Sequence, residues 1–235
     1  KSDIEEVVGT ELKKMARAQH QSSLLDVHND WLVEILKDES PFLVSLILRN
    51  LPAERVQYIV NSLPKDIVKN LPTLNQTYHA ESALVELLQR KFESAFTIEK
   101  SLDPKEAFDF EKLCFLRTEQ IENLFLEIGY REIALGLVSL PIKTQSMVLE
   151  RLLPEDRDKV ESFLHGEAQK ASSQRVRRAQ VHVISKEIDS NNPKLFVREL
   201  GFLVYAKAIL EKDMEDFEIV KRKFSFSTAM LLQRL

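Results

Sequence analysis

The chain has 235 residues, 44% apolar and 30% charged, enough for one large domain or two small ones with hydrophobic cores. Lys and Arg number 33 against 37 Asp and Glu, so the formal charge is −4 and no overall field attracts nucleic acid. A single cysteine, Cys114, excludes an internal disulfide, and apolar runs such as Phe42–Val44 and Leu46–Leu48 are far too short to cross a bilayer. The opening Lys1-Ser2-Asp3-Ile4-Glu5-Glu6 does not read as a signal peptide, so the expectation is a cytoplasmic protein with no direct membrane insertion.

Helical periodicity runs through the whole chain. Trp31, Leu32, Ile35 and Leu36 form one apolar stripe. Ser40-Pro41 reads as an N-cap followed by proline at the first helical position, where its missing N–H costs nothing. Leu51-Pro52, Leu63-Pro64, Asp103-Pro104, Leu153-Pro154 and Asn192-Pro193 repeat that punctuation. Two longer helices are expected near Ala80–Phe96 and Arg175–Ile188, and Gly129 and Gly166 read as helix ends. A last stripe, Leu195, Phe196, Leu200, Leu203, Val204 and Ile209, has Gly201 in its middle, worth roughly 1 kcal/mol against Ala. Beyond it, Phe217, Val220, Phe224, Phe226, Met230, Leu231 and Leu235 carry apolar spacing to the final residue. This segment is expected either to fold back on the preceding repeat or to leave an apolar patch covered by another chain.

The punctuation is duplicated. Leu51-Pro52 and Leu63-Pro64 return as Leu140-Pro141 and Leu153-Pro154, at offsets of 89 and 90 residues. No short helix of this kind buries its stripe alone, so the expected fold is all-α, an armadillo/HEAT-like right-handed superhelix of two repeat units plus extra C-terminal helices. The expected divisions are 1–100 for an N-terminal helix and first unit, 101–192 for the second unit, and 193–235 for the added segment.

Glu39-Ser40-Pro41-Phe42 before an apolar helix ending Leu46-Ile47-Leu48 resembles the middle segment of the FliG flagellar rotor switch family, whose motif there is Glu-His-Pro-Gln. Ala107-Phe108-Asp109-Phe110 resembles the family's Met-Phe-x-Phe hinge, and Gln120–Ile128 and Ile133–Leu137 follow its helix pattern. The likeness spans roughly Val27 to Ile188. It implies a middle-plus-C-terminal arrangement at the flagellar basal body, with a FliM-like switch protein and stator or ring subunits as partners. Glu39, Pro41 and Phe42 would then dock a partner, and Phe108 and Phe110 would hinge. The family's torque charges fall on Val138, Ser162 and Phe163 and near Glu155, so the torque surface is altered. The family's Gly-Gly linker and second armadillo-like segment have no counterpart here.

Other chemistry is sparse. Arg151, Glu155, Asp156 and Arg157 are candidates for a charged contact helix, with Glu155 and Lys159 an i, i+4 pair. Arg175, Arg177 and Arg178 make a basic knot without interleaved aromatics, weak support for phosphate or RNA. The five histidines, His20, His28, His79, His165 and His182, have no metal-ligand spacing. With no glycine-rich phosphate loop and no nucleophile motif, the reading is a non-enzyme without cofactor, acting by protein contact and capable of self-association. Its rivals are a non-motor adaptor on the same fold and the cytosolic domain of an MgtE-type magnesium transporter, whose repeats also read Leu-Pro-x-Glu-Arg.

Overall fold

The computed structural model describes residues 26–72, 92, 113–114, 116–189, 191–209 and 214–235. Among them every regular element is helical and no strand occurs. In chain order the α-helices are α1 (Asn29–Leu36), α2 (Pro41–Leu48), α3 (Ala53–Ser62), α4 (Lys65–Lys69), α5 (Thr118–Leu137), α6 (Ile142–Leu149), α7 (Pro154–His165), α8 (Ser173–Ile184), α9 (Pro193–Ala208), α10 (Met214–Arg222) and α11 (Phe226–Arg234), with a 3-10 turn at Glu167–Lys170. No described helix is long and apolar enough to cross a membrane.

The chain forms two compact units. The first holds the described residues 26–72 and Phe92 together with 215–231; the second holds 113–209, Met214 and 232–235. The 193–235 segment is therefore divided, α9 belonging to one unit and most of α10 and α11 to the other.

In the first unit, α1 to α3 bury Leu32, Leu36, Val44, Ile47, Leu48 and Ile59 in one core, against which Ile67 and Val68 of α4 pack. The returning helices close over Trp31. Its indole N–H donates to the Phe224 carbonyl at 3.0 Å, and its ring meets Phe226 edge to face at 4.6 Å. Asp30 stands at the start of α11, accepting the Phe226 backbone N–H at 3.1 Å and the Tyr58 hydroxyl at 2.7 Å. A carboxylate there supplies the partner that a helix N-terminus lacks. Burial would raise the Asp30 pKa, but those two donors outweigh it and hold the carboxyl below its ordinary value.

In the second unit, α5 is the axis on which α7, α8 and α9 pack. Here the structure corrects the sequence reading. Gly129 does not end a helix; α5 runs through it for 20 residues. The reason is close approach. A Cβ on Gly129 would lie 2.1 Å from the Val197 carbonyl oxygen, and one on Gly201 would lie 1.9 Å from that of Phe125. The numbering rises on one helix as it falls on the other, so α5 and α9 cross antiparallel with a glycine from each against the other's backbone. Phe125, Phe202 and Tyr205 fill the space beside the crossing with edge contacts at 4.8 and 5.1 Å. Gly166 does follow the end of α7. The expected long helix at Arg175–Ile188 is α8, which stops at Ile184. Apart from Phe92, the expected helix at Ala80–Phe96 lies outside the described residues.

The duplicated punctuation is a duplicated backbone corner. After α2, Arg49 N–H bonds Ser45 O and Leu51 N–H bonds Leu48 O; after α5, Val138 bonds Ala134 and Leu140 bonds Leu137. Pro52 O accepts from Arg55 and Val56 as Pro141 O accepts from Thr144 and Gln145, each pair 89 residues apart. The next corner keeps 89 as well, with Pro64 O bonded by Val68 and Leu153 O by Arg157. Pro64 is thus the N-cap of α4, whereas Pro154 is the first residue of α7. Both positions suit a residue without an N–H, so the proline slips by one while the backbone does not. Burial follows the backbone: Leu63 and Leu152 are core, while Leu153 is 43% exposed.

Candidate functional site

The turn at Glu39, Pro41 and Phe42 lies on the surface of the first unit. Ser40 is extended, its hydroxyl accepts the Leu43 N–H at 3.4 Å, and Pro41 opens α2. Phe42 is exposed and Glu39 partly so. The phenylalanines proposed as a hinge, Phe108 and Phe110, lie outside the described residues.

The charged cluster does not share one face. Arg151 and Glu155 are exposed, but Asp156 is buried, its carboxylate accepting the Tyr130 hydroxyl. Arg157 turns inward, its Nε donating to the Leu149 carbonyl at 3.2 Å. At the first turn of α7 a carboxylate suits the helix N-terminus, and Asp156 spends it on packing rather than on an outer surface. Val138 and Phe163 pack against the core, with the Arg131 guanidinium 4.8 Å above the Phe163 ring.

One assembly escaped the sequence reading. Glu132, fully buried on α5, takes a forked hydrogen bond from Arg175 of α8, with Nη2 at 2.6 Å and Nη1 at 3.2 Å. Its Oε1 also meets Nδ1 of buried His182 at 2.6 Å, and His182 Nε2 lies 2.9 Å from Nζ of Lys207 on α9. An ammonium only donates, so Nε2 accepts, and Nδ1 carries the proton toward Glu132. Burial would raise the Glu132 pKa; the His182 and Arg175 hydrogen bonds outweigh it, and the carboxyl sits below its ordinary value.

A carboxylate aligned with an imidazole resembles the orienting half of a general-base pair. The nitrogen that would face a substrate is taken by Lys207, however, so the assembly clamps α5, α8 and α9 together. Arg175 and His182 are seven residues apart, two turns on one face, which places both over Glu132. A readable sign exists in retrospect. Ile121, Phe125, Ile128 and Glu132 follow at i, i+4, i+7 and i+11, so a carboxylate sits in the buried stripe.

No family profile, curated protein or solved structure matches this chain. Among the described residues no group of three or more His, Cys, Asp or Glu is arranged to hold a metal ion, and Cys114 is buried. A shallow cleft of about 250 Å³ opens between the starts of α5 and α9, walled by Glu122, Asn123, Leu126, Lys194 and Arg198.

Proposed function

We propose that the chain is a helical-repeat scaffold of the flagellar switch type, an armadillo-like superhelix that works by protein–protein contact in a membrane-mounted rotor. The observation that carries the reading is the helix corner repeated at a constant 89 residues, joined to the resemblance around Glu39–Leu48 and Phe108–Phe110. Stacked short helices present long surfaces, and long surfaces serve docking better than chemistry. In this reading Glu39, Pro41 and Phe42 meet a FliM-like partner, and the site of action is the cytoplasmic side of the basal body.

A second reading is a non-motor adaptor on the same scaffold. Val138 and Phe163 favour it, because two positions that carry torque charges in the family here pack apolar surface.

The test is affinity capture with the full chain from lysate of its source organism, identifying the proteins retained. The rotor reading expects switch-ring subunits, lost with Glu39→Lys and Phe42→Ala together. Retention of another assembly's subunits and no ring protein supports the adaptor; ring capture indifferent to both substitutions removes the turn from the contact.

A further inference from the structure

Helix α8 is held on one side and bare on the other. Its inner face is fixed by buried Val176, Ala179 and His182 and by the Arg175–Glu132 fork. Its outer face carries Arg177, Val181 and Ile184 at i, i+4 and i+7, with Arg178 on the flank. Val181 is 65% exposed and Ile184 is 82% exposed. On the opposite flank, Gln180 Nε2 bonds Ser139 Oγ at 2.8 Å, which holds the α5–α6 corner alongside. Three residues past Ser139, the 80% exposed Ile142 and exposed Lys143 begin α6.

Scattered exposed apolar residues need no explanation, but two β-branched ones one turn apart on the same face of a rigid helix, with a third just past the corner that Gln180 holds, do. The charge along the helix itself is one-sided, with Glu187 and Asp189 following only after its end. In a chain of formal charge −4, α8 contains three arginines and not one carboxylate. Arg175 is committed to Glu132, while Arg177, Arg178 and Lys143 have no ion-pair partner among the described residues.

We propose that the outer face of α8, with the start of α6, docks an acidic amphipathic helix of a partner protein. Val181, Ile184 and Ile142 would take its apolar stripe, and Arg177, Arg178 and Lys143 its carboxylates. An apolar helix face laid on such a surface is a recurrent recognition mode, and flanking complementary charge sets register and selects against basic partners. Nucleic acid fits less well: with Arg175 withdrawn, two arginines and a lysine surround aliphatic side chains rather than stacking aromatics. The inference rests on the protein-contact reading and adds the partner's chemistry to it.

The probe is a fluorescent peptide of about 18 residues, long enough for five helical turns, with leucine on one face and glutamate on the other. Its controls are the same peptide with lysine for glutamate and a single-stranded RNA of similar length. Fluorescence polarisation with the full chain is expected to show the acidic peptide binding at least about tenfold tighter than the basic one, weakening with salt. Arg177→Glu with Arg178→Glu should reverse that preference, and Val181→Ser with Ile184→Ser should weaken the acidic peptide by about tenfold or more. All four positions lie on the outer side of the helix, and circular dichroism should show unchanged folds. Equal affinity for both peptides, indifference to the substitutions, tighter binding of RNA, or self-association through this face in sedimentation overturns the proposal. A chain that retains ring proteins yet ignores the acidic peptide defeats this inference alone. One that binds the peptide yet retains no ring protein defeats the rotor reading alone.

Discussion

Glu132 shows how much can rest on one carboxylate. Removing one member of a buried charge pair costs about 3–5 kcal/mol, because the survivor is left without compensation. The Arg175 side chain is 24% exposed and can turn toward water, whereas His182 cannot. Glu132→Ala should therefore fall near the lower end, about 3 kcal/mol, read from the shift of the urea midpoint at constant slope. The pH dependence has a definite sign. Glu132 titrates below its ordinary value of 4.5 in the fold and near it when unfolded, so between those values the unfolded chain binds more protons. Its contribution is complete above about pH 4.5 and is lost as the pH falls through the folded value. Glu132→Gln should flatten stability across that acid window. An unchanged slope would mean that the carboxylate is not ionised in the clamp.

The crossing of α5 and α9 reverses a propensity argument at the level of helices. By helix preference alone, Gly201→Ala should add roughly 1 kcal/mol of stability. The added methyl would sit 1.9 Å from the Phe125 carbonyl oxygen, a contact with backbone that no rotamer relieves. Overpacking of a tight interface costs typically about 1–3 kcal/mol, so the expected outcome is net destabilisation, seen as a lower melting temperature. Gly129→Ala should behave alike, and a rise in either would place the two helices further apart than described. The sequence reading took Gly129 for a stop because glycine after an apolar run ends many helices. The same residue also permits close packing, and local spacing does not separate those uses. Proline was less ambiguous. Pro41, Pro52, Pro64, Pro141, Pro154 and Pro193 each stand at a helix start, and the one-residue slip between Pro64 and Pro154 leaves the corners unaltered.

For the molecule as a whole, the decisive element is the C-terminal segment, which packs within the chain in two places. Trp31 is the single tryptophan and reports directly on the docking of α11. Deleting 215–235 should expose its indole, shift its emission to longer wavelength and lower the melting temperature of the first unit. Phe226→Ala is the milder variant, expected to cost about 1–2 kcal/mol because the ring is only partly buried. Emission unchanged on deletion would show that α11 is not seated on Trp31.

The amino-acid sequence by itself determined the helical class, the cap at Ser40, the proline-marked starts and the duplicated Leu-Pro punctuation at offsets of 89 and 90 residues. The cap and the starts depend on neighbours within about four positions, where backbone hydrogen bonding and side-chain spacing act, and the repeat is the same local pattern written twice. Only the tertiary structure decided that Asp30 meets the start of a helix 196 residues away, that Glu132 gathers Arg175, His182 and Lys207, and that the last segment is shared between two units. An apolar stripe states that a face must be covered and is silent about which face covers it. Val181 and Ile184 face outward, while Val176, Ala179 and His182 on the other side of α8 are buried and Arg175 reaches the Glu132 carboxylate. The competing stripe Val176, Ala179 and Val183 is the one that meets the core, and the Glu132 contacts of Arg175 and His182 lie on that same side.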